Sequence, residues 1–195
     1  MCGVLERHRL SWLYLKQRTR LFKGPRNRLL DIAPEPGISG RIRRSKYVDY
    51  LSIDLTSSFA MLKMSVTDLQ LPDDSFDAIY CSHVLEHVPE DRRAMGEFYR
   101  ILKPGGWAII LVPVSGDVTV EDPSVTTPEE RVRLFGQHDH VRMYGKDLKE
   151  RLEGAGFSVV VDAFARNFSP KQVRRFGLRL DDDIYFCYKA IQTSL

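Results

Sequence analysis

The stretch from Phe76 to Val114 limits the possible folds more than any other part of this chain. It reads FDAIYCS, then PEDRRAMGEFYRIL, then a Pro-Gly-Gly break and WAIILVPV. The outer pieces are short apolar runs. In the middle piece Ala94, Phe98, Ile101 and Leu102 recur at helical spacing, Pro89 suits the first turn, and Glu90 and Asp91 favour its positive end. WAIILVPV is apolar on both faces, as strands at the centre of a parallel sheet are. Further apolar runs repeat the alternation: RLLDIA (28–33), YVDYLSIDL (47–55), a weaker MLKMSV (61–66), FSVVVDAFA and DIYFCYKA, with a helix in GKDLKERLEGAGF. The pattern predicts an α/β sheet with right-handed crossovers. The segment 115–140 is expected to be a long loop, and such loops tend to be functional or mobile.

A chain of 195 residues is long enough for one domain with a full core. Cys2, Cys81 and Cys187 are too scattered for a disulfide framework or a metal knuckle, so a reducing, cytoplasmic setting is expected. The start of the chain lacks the apolar core of a signal peptide, and the run 107–112 is far too short to span a bilayer. The net charge of +3 hides an asymmetry: residues 1–46 hold 12 Lys and Arg against Glu6, Asp31 and Glu35. A basic N-terminal segment (1–27) is therefore expected as an amphipathic helix over 6–21, laid on a main domain spanning 28–195. Its charge would suit a phosphorylated or nucleic-acid partner, or simply an acidic neighbour.

His83-Val84-Leu85-Glu86-His87 has the H-x-x-E-H form of a zinc peptidase signature. Zinc binding of that kind needs a continuous helix carrying both histidines, yet His83 follows directly on a strand and Pro89 closes the segment. No metal site is expected there, nor in His138-Asp139-His140. The alternative is a ligand cleft at the carboxyl ends of the strands, where open α/β sheets bind their ligands. Asp31, Asp54, Asp68 and the Cys81-Ser82-His83 group fall at those ends.

LPDDSFDAIYCSHVLEHVPEDRRAMGEFYRILKPGGWAIILVPV resembles the core of the class I S-adenosylmethionine-dependent methyltransferases, in the type 11 group. The resemblance implies a Rossmann-like, mostly parallel seven-stranded sheet with helices on both faces and an antiparallel last strand. It implies S-adenosylmethionine as cofactor, with S-adenosylhomocysteine as product. It also assigns residues: Asp31 near the methionyl ammonium, Ala33 and Gly37 in the first loop, Asp54 on the ribose hydroxyls, Asp68 and Leu69 beside adenine, and Ser82 and His83 beside the sulfonium. Where the group has D-x-G-x-G-x-G, this chain has Asp31-Ile32-Ala33-Pro34-Glu35-Pro36-Gly37. Ala33 is tolerable there if its φ is negative, and Glu35 could orient or repel the cofactor's carboxylate. A bacterial subgroup has a similar A-P-E-P loop. In some relatives a zinc knuckle ending in a Cys-Gly like Cys2-Gly3 precedes the domain, which leaves Cys2 inert here and the chain as a shortened form.

FGQHDHVRMYG (135–145) also resembles a string in that subgroup, in a loop overhanging the acceptor side. His83 and His140 are the expected catalytic bases, since histidine titrates near neutral pH. His87, Gln137, His138, Arg142 and Tyr144 are the expected acceptor contacts. The expected reaction is methyl transfer to an oxygen or nitrogen of a small-molecule or sugar-linked acceptor, with nucleic acid less favoured. The rival reading is an inactive domain of this fold that binds the cofactor or a protein partner. Nothing resembles the G-x-G-x-x-G of a dehydrogenase.

Overall fold

The computed structural model describes residues 4–191; Cys2 and Gly3 lie outside the described residues. The first helix, α1, is Glu6–Arg18, and the first strands are β1, Asn27–Ile32, and β2, Val48–Asp54, separated by a short helix α2, Ser39–Arg43. A two-residue strand β3, Leu62–Lys63, precedes β4, Phe76–Ser82. Then come α3, Asp91–Ile101, and β5, Leu102–Leu111. The remaining elements are β6 (Val120–Glu121), α4 (Pro128–Phe135), β7 (Arg142–Met143), α5 (Leu148–Gly154), β8 (Ser158–Asp162), α6 (Pro170–Phe176) and β9 (Ile184–Tyr188).

Seven strands form one sheet in the order β3-β2-β1-β4-β5-β9-β8. All neighbours are parallel except β9, which runs antiparallel to both β5 and β8. The expected architecture is therefore present, antiparallel last strand included. The chain builds outward from β1 to β3, then crosses back to β4. That reversal opens a crevice beyond the carboxyl ends of β1 and β4.

Alternation along the strands splits the core into two layers. Leu30, Ile32, Ile79 and Ile110 face α3 and α5, where Ala94, Phe98, Ile101, Leu148 and Leu152 are fully buried. Leu29, Ala78, Tyr80 and Ile109 face the other way, onto Leu10, Tyr14 and Leu15 of α1 and Ile38 and Ile42 of α2. The first helix is thus part of the second core layer. It ends at Arg18 rather than near Leu21 because Thr19 turns extended, its hydroxyl donating to the Leu15 carbonyl at 2.6 Å.

The expected loop 115–140 is partly ordered structure. Thr127 caps α4 by accepting from the Glu130 N–H, with Pro128 in its first turn. β6 and β7 pair into a small separate sheet. Gly145 packs so tightly under this region that a Cβ would lie 2.3 Å from the Val118 backbone. Among the described residues, no helix is long and apolar enough to cross a membrane.

Candidate active site

A cavity of about 620 Å³ opens at the crevice, a volume suited to a cofactor-sized ligand. Its walls come from strand ends. Ile32 ends β1 and Ala33 follows it, Asp54 ends β2, and His83 follows β4. Met64 and Val66 give it an apolar side, and His87 to Glu90 with Asp139 form the opposite lip.

Asp54 has the chemistry of a diol acceptor. Its Oδ1 accepts from the N–H groups of Thr56 and Ser57, both at 2.7 Å. All the hydrogen bonds of its side chain go to that oxygen, which leaves Oδ2 for a ligand.

Backbone strain gathers at the same place. Among the described residues, three non-glycine residues have positive φ: Ala33 at 52°, Asp74 at 50° and His83 at 55°. Two of the three line the cavity. The sequence reading tolerated Ala33 on the condition of a negative φ, and the structure overturns that condition. Left-handed backbone costs an L-residue about 1–2 kcal/mol, and such strain tends to collect at functional sites. His83 is held in it by a 2.8 Å bond from its N–H to the Leu111 carbonyl.

The acid at the end of β1 behaves differently. Leu30 and Ile32 face the α3 layer, so Asp31 between them points to the opposite side of the sheet. It is fully buried, Oδ2 accepts from the Tyr50 hydroxyl at 2.6 Å, and Oδ1 has no partner. Burial pushes its pKa up to about 6. Asp31 does not line the cavity.

Glu35 is also turned away. Arg7 of α1 donates to both of its oxygens, at 3.1 and 2.7 Å, and the buried His8 ring bonds Oε2 through Nε2. These partners hold the Glu35 carboxyl below its ordinary value despite its burial. Gly37 borders a small pocket under α1 rather than the main cavity. The A-P-E-P loop is thus clamped from outside by the first helix.

Asp68 and Leu69, expected beside adenine, do not line the cavity. Ser65, Val66 and Thr67 line the cavity, whereas Asp68 is exposed and accepts from the Gln70 amide. Leu69 is buried, and its N–H donates to Glu97 at 2.7 Å. Ser82 is buried with its hydroxyl unpartnered.

The segment 135–145 meets the lip without forming a solvent-facing grip. Arg142 is buried and donates to the carbonyls of Leu85, Val88 and Pro89 and to Glu121. Tyr144 is buried and donates to Asp91 at 2.7 Å. Both are spent on the protein, so their expected acceptor contacts are corrected to structural ones. Gln137 bonds Asp139, and His138 is exposed. His140 is buried, with its ring edge-to-face against His87 at 4.8 Å. Leu85–His87 form a single turn of 3-10 helix, so the peptidase arrangement of His83 and His87 is absent.

A family model described as a methyltransferase domain matches residues 31–110, the span holding the end of β1, Asp54, the 64–67 wall and His83. The match covers 80 of the 195 residues. Over that span and in its strand order the chain is similar to the class I S-adenosylmethionine-dependent methyltransferases. The chain is 30% identical over 114 residues to a sterol 24-C-methyltransferase of Eremothecium gossypii, covering 56% of this chain and 30% of that one. It is 31% identical over 99 residues to a demethylmenaquinone methyltransferase of Renibacterium salmoninarum, covering 44% of this chain and 41% of that one. The matches thus span well under half of either relative's length. In fold it is similar to an S-adenosylmethionine-dependent methyltransferase of Mesorhizobium loti (TM-score 0.65, 17% identity, 91% of this chain and 96% of that chain). The family's cofactor, S-adenosylmethionine, fits this cavity in volume, in the free Asp54 oxygen and in the apolar wall. Asp31, which the resemblance sets near the methionyl ammonium, does not line this cavity, whereas Ala33 and His83 do.

Proposed function

We propose that this protein transfers a methyl group from S-adenosylmethionine to an oxygen or nitrogen of a small-molecule or sugar-linked acceptor. The supporting observation is the Asp54 carboxylate, fixed through one oxygen and open through the other, on a cavity floored by the switch point of the sheet. When bound, the cofactor would supply an electrophilic methyl carbon on a positively charged sulfur, which would leave with the C–S electron pair as the acceptor atom bonds the carbon. The acceptor's proton leaves to a base. His83, on the cavity wall with its side chain 32% exposed, is the nearer of the two expected bases; His140 stands behind His87. The rest of the rate comes from alignment in a water-poor cleft, worth about 7–11 kcal/mol in well-oriented systems.

A second reading has one specific observation in its favour. Asp31, the family's contact to the methionyl end, is sealed under Tyr50. A domain that holds the cofactor or a partner without turnover would tolerate that.

Calorimetric titration with S-adenosylhomocysteine tests the first step. Binding at micromolar concentration, lost on Asp54→Asn, supports the reading; absence of binding by folded protein overturns it. A screen of acceptors with methyl-labelled cofactor then separates turnover from mere binding.

A further inference from the structure

Glu86 poses an unsolved electrostatic problem. It is 1% exposed, and neither carboxylate oxygen has a hydrogen-bond partner. The nearest base, His83 Nδ1, lies 3.2 Å from Oε1 but outside hydrogen-bonding geometry. An ionised carboxylate taken out of water without a partner costs several kcal/mol, so such a group calls for a cation.

Two imidazoles stand beside it. One donor atom each from Glu86, His87 and His140 lie within 4.8 Å of one another. The His140 Nδ1 is 2.9 Å from the Phe135 carbonyl, an acceptor, so that nitrogen carries the proton and the Nε2 lone pair is free. His87 Nδ1 is 3.3 Å from both the Asp139 carbonyl and its carboxylate, which places its proton likewise. A ring nitrogen donating to a carbonyl or carboxylate is the usual support of a metal-binding histidine.

The donors are also pre-positioned. The Val141 N–H bonds the Glu86 carbonyl at 2.9 Å, and Arg142 ties the carbonyls of Leu85, Val88 and Pro89. These bonds hold two segments, more than 50 residues apart, in one fixed arrangement.

We propose that Glu86, His87 and His140 form a divalent-cation site of the zinc class, at the lip of the cofactor cavity. Two imidazoles and one carboxylate suit Zn²⁺, and three protein ligands leave a fourth position open. Metal–ligand bonds of about 2.0–2.2 Å would require the donors to draw in by roughly an ångström, which side-chain rotation supplies. His87 and Asp139 also line the cavity, so the open position borders the space where an acceptor would lie. The site rests on its own donor geometry. Only its role, polarising an acceptor hydroxyl, rests on the methyltransferase reading.

The test uses the full chain after treatment with chelator, titrated with Zn²⁺ by calorimetry and with Co²⁺ by visible absorption. One ion per chain, with a Co²⁺ band of tetrahedral intensity, is expected. Glu86→Gln and His140→Ala should each weaken Zn²⁺ binding at least 30-fold, while the neighbouring exposed His138→Ala leaves it unchanged. Should the buried variants fail to fold, the half-exposed His87→Ala carries the same expectation, with circular dichroism as the check. No stoichiometric Zn²⁺ binding by the wild type, or wild-type affinity in folded Glu86→Gln or His87→Ala, overturns the site. S-adenosylhomocysteine titration of the chelated protein keeps the two proposals apart: retained binding without a metal site would sink this inference alone, and metal binding without cofactor binding would sink the other.

Discussion

Arg7, on the first helix, donates to both carboxylate oxygens of Glu35, in the loop that follows the first strand. The pair is mostly buried and reinforced by His8, so it belongs to the stronger class of ion pairs. Breaking it by Arg7→Ala leaves Glu35 half-supported and is expected to cost about 1–3 kcal/mol. Because the same loop passes Ala33, affinity for S-adenosylhomocysteine should fall as well. Urea denaturation and calorimetry read the two effects. A loss of stability with unchanged affinity would show that the clamp does not shape the cleft.

Asp54→Asn keeps the size and the Oδ1 contacts but removes the charge that we propose meets a ribose diol. A 10–100-fold rise in the dissociation constant of S-adenosylhomocysteine is expected, about 1.4–2.7 kcal/mol. The melting temperature without ligand should barely move, which separates the role from a structural one.

Asp31 should make stability depend on pH in an unusual direction. Its folded pKa of about 6 lies above the ordinary carboxylate value, so between roughly 4 and 6 the folded state binds the extra proton. That contribution is fully present in acid and is lost as pH rises through 6. Asp31→Asn removes the titration and is expected to raise stability at pH 8 by about 3 kcal/mol, from two pKa units at 1.36 kcal/mol each. Melting curves of both proteins at pH 5 and pH 8 decide; an equal shift at both pH values would show that ionisation is not the cause. Glu121 runs the other way. Hydrogen bonds from Arg151, ahead of those from Arg142, hold it down at about 2, so its support is present above the ordinary carboxylate value and lost on acidification towards 2.

Ala33→Gly should stabilise the protein by up to about 1 kcal/mol, the left-handed strain relieved less the entropy that glycine gives up. Ala33→Val should do the reverse. The denaturant midpoints are the measurement, and a destabilised glycine variant would mean the strain is not there.

Much of this was legible in the chain itself. WAIILVPV announced a central strand because both of its faces are apolar, and the Ala94-Phe98-Ile101 stripe announced the helix that covers it. Asp54 could be placed because it ends a strand next to the switch point. Asp31 could not, because an acid at a strand end reads the same whichever face it takes; only Tyr50 on the neighbouring strand shows the direction. Arg142 looked like a free cation because, Glu121 apart, it donates to main-chain carbonyls more than 50 residues away, which carry no sequence signature. Glu86 was passed over between two histidines, although its apolar neighbours Leu85 and Val84 hinted that it was buried. Helix α4 did have a signal, Thr127-Pro128-Glu129-Glu130, hidden among prolines that read as loop.

Ala33 and His83 hold the same unfavourable torsion just past the ends of two adjacent strands, at the rim of one hollow. A laboratory selection for heat tolerance would therefore be drawn to glycine at both places. On the present reading its winners would survive longer in the oven and grip their ligand less well, so the two positions mark where durability and use part company in this protein.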